Sequence, residues 1–189
     1  MRLFIAIPLP DTFQNIIVKI QKSIDKFGKL KLVKPENVHL TLKFLGDVNE
    51  NKIDKINKRL SFLKNINTFT ISVRGLGTFP NIKRPRVIWM GTEKGFDEIN
   101  ELQKKIDSSL EDIGFKKENR FHPHYTIARV KFIAEKEKIE KFLKENTDLI
   151  FGEYTVDKIM LMESKLSPKG PRYYTIEEFH LKAETGDNR

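Results

Sequence analysis

The apolar residues of this chain recur alternately at strand and at helix spacing. Alternating or continuous apolar runs predict strands at 3–7, 38–45, 69–73, 86–90, 121–130, 154–162 and 173–181. Apolar residues three or four positions apart predict amphipathic helices over 11–27, 50–64, 96–110 and 135–145. Segment 29–38 is mixed and predicts no regular element, with Gly28 as a helix stop. The polar tail 183–189 is expected to fray.

The predicted elements form a repeat. The order strand, helix, strand, helix, strand occurs twice, with corresponding positions about 85 residues apart. Side chains of the two halves differ outside one short motif, so the repeat is one of architecture. We therefore predict an α+β fold: a single bilobal domain over 1–189, with pseudo-repeats at about 1–83 and 84–182. A pseudo-twofold axis would relate the lobes, and their antiparallel sheets would face a central cleft.

One motif recurs residue by residue. The run His39-Leu40-Thr41-Leu42 is answered 85 residues later by His124-Tyr125-Thr126-Ile127. Side chains alternate between the faces of a strand, so each run offers one imidazole and one hydroxyl on a polar face. The pseudo-twofold axis would bring these two polar faces together across the cleft.

Two facing histidines suit acid–base chemistry near neutral pH. One neutral imidazole can take a proton from water while a protonated one donates to a leaving oxygen, each role contributing about 10²–10⁴ in rate. Two threonine hydroxyls can hydrogen-bond the oxygens of a phosphate held between them. The pattern thus predicts phosphodiester chemistry without a metal or other cofactor, and leaves open which histidine is acid and which is base.

Two further polar residues lie close to the second motif. His122 is the nearest candidate for a third zinc ligand, and it is read instead as a polar residue at the start of a strand. Arg129 follows His124 by five positions, so strict alternation would turn it away from the cleft unless a bulge intervenes. A guanidinium turned into the cleft would bind phosphate well.

Other basic and aromatic residues carry weaker signals. Residues 83–86 form a basic loop that could contact an RNA backbone, and a solvated loop is nearly as good a reading. Residues 165–174 interleave basic and aromatic side chains around a Pro/Gly turn, where bases could stack, although ordinary strand aromatics are the preferred interpretation. Trp89 is assigned to the core and His180 to a structural role. The basic residues of the loop 83–86 are Lys83, Arg84 and Arg86, and the basic and aromatic residues of 165–174 are Lys165, Lys169, Arg172, Tyr173 and Tyr174.

Composition narrows the picture further. The formal charge of +9 favours a polyanionic partner such as nucleic acid, although a lysine-rich surface also serves solubility. The absence of cysteine excludes disulfides, thiolate catalysis and thiolate zinc sites. No stretch reaches the length of a transmembrane span, and the apolar run 3–9 is too short for a secretory signal. These features predict a cytoplasmic protein without a membrane partner.

Four runs of residues resemble a known family. They are His-Leu-Thr-Leu-Lys-Phe-Leu-Gly (39–46), Phe-Pro-Asn with Arg-Pro-Arg-Val-Ile-Trp (79–89), Pro-His-Tyr-Thr-Ile-Ala-Arg-Val (123–130) and Leu-Ser-Pro-Lys-Gly-Pro (166–171). Together they resemble the two-histidine (2H) phosphoesterase superfamily. Within it, the chain is most similar to the RNA 2′,3′-cyclic phosphodiesterases, also called 2′-5′ RNA ligases.

The resemblance implies a two-lobed α+β fold and opening of a 2′,3′-cyclic phosphate at an RNA end to a 2′-phosphomonoester. It implies that His39 donates a proton to the departing 3′ oxygen and that His124 accepts one from water. It also implies that Thr41, Thr126 and Arg129 hold the phosphate. ATP-independent 2′-5′ joining of RNA ends is a further activity of the family, and tRNA fragments are candidate substrates.

Two other functions remain open from the residues alone. One is an RNA-binding module without turnover, which the basic charge favours. The other is a phosphodiesterase with the same chemistry acting on small cyclic nucleotides. The sequence does not determine the oligomeric state, and a monomer is the working expectation.

Overall fold

Nine strands and four α-helices make up the computed structural model, which describes residues 1–168 and 170–183. The strands are β1 (Arg2–Pro8), β2 (Gly28–Leu32), β3 (His39–Asp47), β4 (Phe69–Phe79), β5 (Val87–Thr92), β6 (Tyr125–Ile133), β7 (Ile150–Val156), β8 (Lys158–Ser167) and β9 (Gly170–His180). The helices are α1 (Gln14–Asp25), α2 (Ile53–Leu60), α3 (Phe96–Glu111) and α4 (Lys136–Glu145). The predicted α+β class is thereby confirmed.

The sheet consists of two antiparallel halves that meet at one residue pair. Its order is β7-β4-β5-β6-β3-β1-β8-β9, and β2 pairs with β6 outside this path. The only register pair between β3 and β6 is Leu40 with Tyr125, the second residue of each His-x-Thr motif. The predicted pseudo-twofold axis therefore passes near this pair, because the two motifs run antiparallel to each other there.

The two halves of the sheet do not coincide with the two halves of the chain. Strand β4 follows α2 in the first repeat, yet it pairs with β5 of the second. Strand β8 belongs to the second repeat, yet it pairs with β1 of the first. The repeats thus exchange their third strands. Each wall of the cleft consequently contains strands from both repeats.

One face of the sheet is buried under the helices. The apolar partners of the motif residues point to this face, where Leu40, Leu42, Tyr125 and Ile127 are almost fully buried in one hydrophobic core. The Tyr125 hydroxyl satisfies its hydrogen-bonding need with that of Tyr154, 2.6 Å away. Among the described residues, no helix is long and apolar enough to cross a bilayer. The opposite face of β3 and β6 is left for the cleft.

Two predicted segments differ from the structure, one in kind and one in the number of strands. Segment 29–38, predicted to be irregular, contains β2, and Gly28 begins that strand rather than only ending a helix. The apolar signal there is short because only Leu30 packs against the core, while Lys29 and Lys31 are exposed. The single strand predicted at 154–162 is two strands, β7 and β8, separated at Asp157.

Other differences concern element ends. The helix predicted over 50–64 is α2 with 3₁₀ turns before and after it, at 50–52 and 61–65. Strand β6 begins at Tyr125 rather than at residue 121, since Pro123 has no amide hydrogen to donate to a ladder. Of the tail predicted to fray, residues 184–189 lie outside the described residues.

Candidate active site

Both His-Thr pairs face one cavity between the two halves of the sheet. His39, Thr41, His124 and Thr126 are all half-buried and all line this cavity, which encloses about 610 Å³. Arg129 lines it as well. The five residues singled out from the sequence therefore lie together, although two of them are separated from the other three by more than 80 positions of chain.

Each histidine ring is oriented by a backbone carbonyl two residues earlier. His39 Nδ1 lies 2.7 Å from the Asn37 carbonyl oxygen, and His124 Nδ1 lies 2.7 Å from that of His122. A carbonyl only accepts hydrogen bonds, so Nδ1 carries the proton in both rings. Nε2 is then the basic atom of each neutral imidazole. His39 Nε2 is also 3.0 Å from Thr41 Oγ1.

Aromatic side chains hold both imidazoles. The His39 ring stacks on Phe4 with 4.9 Å between centroids, and Tyr173 meets it edge-on at 5.2 Å. The His124 ring packs edge-on against Phe79 at 4.8 Å. These contacts fix the rings by packing, and within residues 1–168 and 170–183 neither histidine has a carboxylate partner.

Burial lowers the pKa of both histidines below 6.5. The hydrogen bond to Asn37 raises the pKa of His39 in part, while the nearby positive charge of His124 lowers it further. For His124, the His122 carbonyl raises the pKa, and the charges of His122 and Arg129 lower it. Both rings are consequently mostly neutral in the free protein at pH 7.

A bulge in β6 turns Arg129 into the cavity. Along β5, Ile88 and Trp89 are adjacent, but their partners in β6 are Ala128 and Thr126, so Ile127 is an extra residue. An extra residue reverses the alternation beyond it, which places Arg129 on the same face as Thr126. The sequence raised this possibility, and only the register decided it.

Phe44 occupies the place on β3 that Arg129 occupies on β6. It follows His39 by five residues, and β3 contains an equivalent bulge at Leu42. Phe44 lines the cavity, and 70% of its surface is exposed. The sequence reasoning missed this residue. Aligning the two motifs over six positions instead of four would have revealed that one ends in an aromatic ring and the other in a guanidinium.

The remaining candidates near the second motif do not enter the cavity. His122 is exposed, and its ring packs against Trp89 at 5.2 Å. Trp89, predicted to lie in the core, is half-buried on the cleft-facing side of the sheet. Its indole packs over Gly77, and a Cβ added to Gly77 would lie only 2.2 Å from the ring. His180 is exposed at the end of β9. Its assignment to a structural role finds no packing contact in support.

The basic segments are divided by the fold. Lys83, Arg84 and Arg86 are exposed in the loop before β5, outside the cavity. Tyr173 lines the cavity, whereas Lys165 packs over the Tyr174 ring at 5.2 Å, and neither of these two residues lines it. Lys169 lies outside the described residues. Three basic residues that the sequence did not single out also line the cavity, namely Arg2, Lys31 and Lys34.

A second concavity lies beyond Trp89 and His122. It is larger and more open, at about 710 Å³, and its rim carries Glu93, Asp97 and Glu98. Arg74 and Lys94 also line it, but Arg74 is paired with Glu93 and Asp148, so the carboxylates outweigh the basic charge and disfavour a phosphate ligand there. Among the described residues, no three His, Asp or Glu side chains converge as ligands for a metal ion.

The chain belongs to the LigT-like phosphoesterase family. The model of that family, described as "LigT like Phosphoesterase", matches it twice, over residues 7–89 and again over 91–173. The double match confirms the duplicated unit predicted from the sequence. It also confirms the predicted membership in the 2H phosphoesterases, since each match contains one His-x-Thr motif.

Relatives of similar length share this family. The RNA 2′,3′-cyclic phosphodiesterase of Methanocaldococcus jannaschii is 41% identical, covering 95% of this chain and 100% of its own. The RNA 2′,3′-cyclic phosphodiesterase of Methanothermobacter thermautotrophicus is 36% identical, and the match covers 96% of this chain and 99% of that protein. The crystal structure of TT0787 of Thermus thermophilus superposes with a TM-score of 0.82 at 30% identity, covering 97% and 100%. The crystal structure of E. coli LigT complexed with 3′-AMP superposes with a TM-score of 0.75 at 25% identity, and the match covers 95% of this chain and 97% of that one.

Proposed function

We propose that this chain is an enzyme that hydrolyses the 2′,3′-cyclic phosphate at the 3′ end of RNA to a 2′-phosphomonoester. The observation that carries the proposal is one cavity lined by two carbonyl-oriented histidines, two threonine hydroxyls and one arginine. The names of the relatives at 41% and 36% identity support RNA as the substrate. We place the enzyme in the cytoplasm, where proteins rarely contain disulfides, and its lack of cysteine is consistent with that location.

The reaction divides between the two imidazoles. Neutral His124 takes a proton from a water molecule as the water oxygen attacks the phosphorus of the cyclic phosphate. Protonated His39 donates its Nε2 proton to O3′ as the P–O3′ bond breaks, which leaves a 3′-hydroxyl and a 2′-phosphate. Proton transfer then returns each ring to its starting state. We assign the acid to His39 and the base to His124 from the family pattern, because the two Nδ1 hydrogen bonds are equivalent.

The other cavity residues bind the substrate. Thr41 and Thr126 donate hydrogen bonds to the non-bridging oxygens of the phosphate. Arg129 binds the same oxygens with two N–H groups and stabilises the charge that grows on them. The exposed Phe44 ring offers a surface on which the terminal base can stack. No step requires a metal ion, and an RNA 5′-hydroxyl in place of water would make the same site a 2′-5′ ligase.

Turnover of an oligoribonucleotide ending in a 2′,3′-cyclic phosphate, measured in EDTA, tests the proposal. The expected product carries a 2′-phosphate, which phosphate-position-specific digestion and chromatography identify. A 3′-phosphate product would overturn the assignment of O3′ as the leaving oxygen. Binding without turnover would favour an RNA-binding module, and turnover of cyclic mononucleotides alone would favour a small-nucleotide phosphodiesterase.

The pH dependence of kcat/KM is expected to be bell-shaped with a maximum below pH 6.5. The base must be neutral and the acid protonated, and burial lowers the pKa of both histidines. Activity therefore rises as His124 loses its proton and falls as His39 loses its own, both in the acidic range. A pH series of kcat/KM on the cyclic-phosphate oligomer measures this. A maximum above pH 6.5 would contradict it.

A further inference from the structure

A basic ribbon continues the cleft beyond Arg129. Strand β2 pairs with the outer part of β6, with Lys31 opposite Arg129 and Lys29 opposite Phe132. We propose that this ribbon, defined as Lys29, Lys31, Lys131 and Phe132, binds single-stranded RNA next to the processed end. The substrate would then be an oligonucleotide end rather than a mononucleotide. The inference rests on the proposed function.

The register places the ribbon side chains on the cleft side of the strands. Leu30 and Val130 are paired with each other and pack against the core. Residues adjacent to them along each strand point the opposite way, and directly paired residues share a face. Lys29, Lys31 and Arg129 therefore share one face, and Phe132 joins them because Lys131 is an extra residue in β6.

Charge and exposure of the ribbon match an RNA backbone with its bases. All three lysines are exposed, and no described carboxylate lies within 4.0 Å of any of them. Phe132 is 63% exposed beside them. A positive groove with an aromatic ring for base stacking is the usual composition of a single-strand binding surface. Successive ribbon lysines on β2 lie roughly 7 Å apart, a spacing that suits adjacent phosphates of an extended strand.

The ribbon exists on only one side of the pseudo-twofold axis. The segment that corresponds to β2 in the second repeat, 113–117, forms no strand, and its Lys116 carbonyl accepts a hydrogen bond from the buried Lys43. The position that corresponds to Phe132 is Asp47, an acid that repels phosphate. The two ends of the cleft are thus different, which gives the bound RNA one direction.

Lysines on an edge strand have another use, since they prevent edge-to-edge aggregation. That use explains Lys29 and Lys31 on the edge strand β2. It does not explain the exposed Phe132, which lies on β6 and increases rather than reduces the apolar surface. Beyond Arg129, β6 pairs with β2 only, so edge protection also accounts for Lys131, and Phe132 is the residue that it leaves unexplained.

A substrate-length series tests the ribbon. Wild type is expected to show a kcat/KM that rises about tenfold or more from a cyclic mononucleotide to a tetranucleotide with a 2′,3′-cyclic end. Lys29→Gln/Lys131→Gln and Phe132→Ser are each expected to remove most of that rise. The double variant should also flatten the salt dependence of log KM for the tetranucleotide by about 1.4, since each single-strand phosphate contact contributes about 0.7.

Lys104→Gln/Lys105→Gln is the matched control, because it removes the same charge from exposed positions on α3, away from the cleft. It is expected to keep the length dependence. A wild type without length dependence, or a ribbon variant that keeps it, would overturn the ribbon while the proposed function stands. Ribbon variants that aggregate but retain the length dependence would assign these lysines to edge protection. A wild type inactive on every length would instead reject the proposed function.

Discussion

His39→Ala and His124→Ala are each expected to lower kcat on cyclic-phosphate RNA by at least about a hundredfold. Each variant removes one of the two proton transfers, while the hydroxyls and Arg129 still bind the phosphate. KM should therefore change much less than kcat. The double variant is expected to lose little more than either single variant, because the two residues act in one concerted step. Single-turnover rates at saturating enzyme measure the chemical step directly.

His180→Ala provides the control for these losses. His180 is exposed on β9 and does not line the cavity, so its removal should leave kcat unchanged. Thermal unfolding of each variant separates loss of chemistry from loss of fold. If either His39→Ala or His124→Ala retained activity within tenfold of wild type while folded, the two-histidine mechanism would have to be abandoned.

Lys43→Met or Asp107→Leu is expected to lower the free energy of unfolding by about 3–5 kcal/mol. The two side chains form an ion pair that is almost fully buried between β3 and α3. The Asp107 carboxylate also accepts hydrogen bonds from the Gln103 side chain and from the Glu118 amide, so both of its oxygens are hydrogen-bonded. Removing either charge leaves the other buried without its counterion. Chemical denaturation, compared at equal m-values, measures the loss.

Arg59→Met is the matched control for this prediction. Its partner is Asp112, and both side chains are about half exposed, at 45% and 67%. Solvent screens such a pair, so the expected cost is about 0–1 kcal/mol. The double variant Lys43→Met/Asp107→Leu should cost less than the sum of its single variants. Equal costs for Lys43→Met and Arg59→Met would contradict the expected penalty for leaving Asp107 buried without its counterion.

The buried pair also connects the two motifs. Lys43 follows Thr41 by two residues on β3, and its ammonium donates to the Lys116 carbonyl in the segment that leads to β6. Asp107 accepts from Glu118 in the same segment. The pair therefore ties the strand of His39 to the chain that carries His124. Together with the exchanged third strands, it connects the two walls of the cleft.

Much of the site was determined by the sequence. The period-two alternation around His39 and His124 specified two half-buried strands, because a strand with one face in the core must turn its polar residues to the other. The spacing of 85 residues between the motifs implied a duplication and hence two facing pairs. Short-range patterns of this kind depend only on neighbouring residues, so they can be read without the fold.

Other features were decided only by tertiary structure. The bulge that turns Arg129 into the cavity comes from the register of β6 against β5, which the residues of β6 alone do not contain. The exchange of β4 and β8 between the repeats depends on which strand edges are free to pair. Strand β2 was missed because its one core-packed leucine, the half-buried Leu30, gives almost no periodic signal. The cavity side chains Phe4, Phe44 and Tyr173 converge from three strands. Their role depends on long-range packing, which no local pattern encodes.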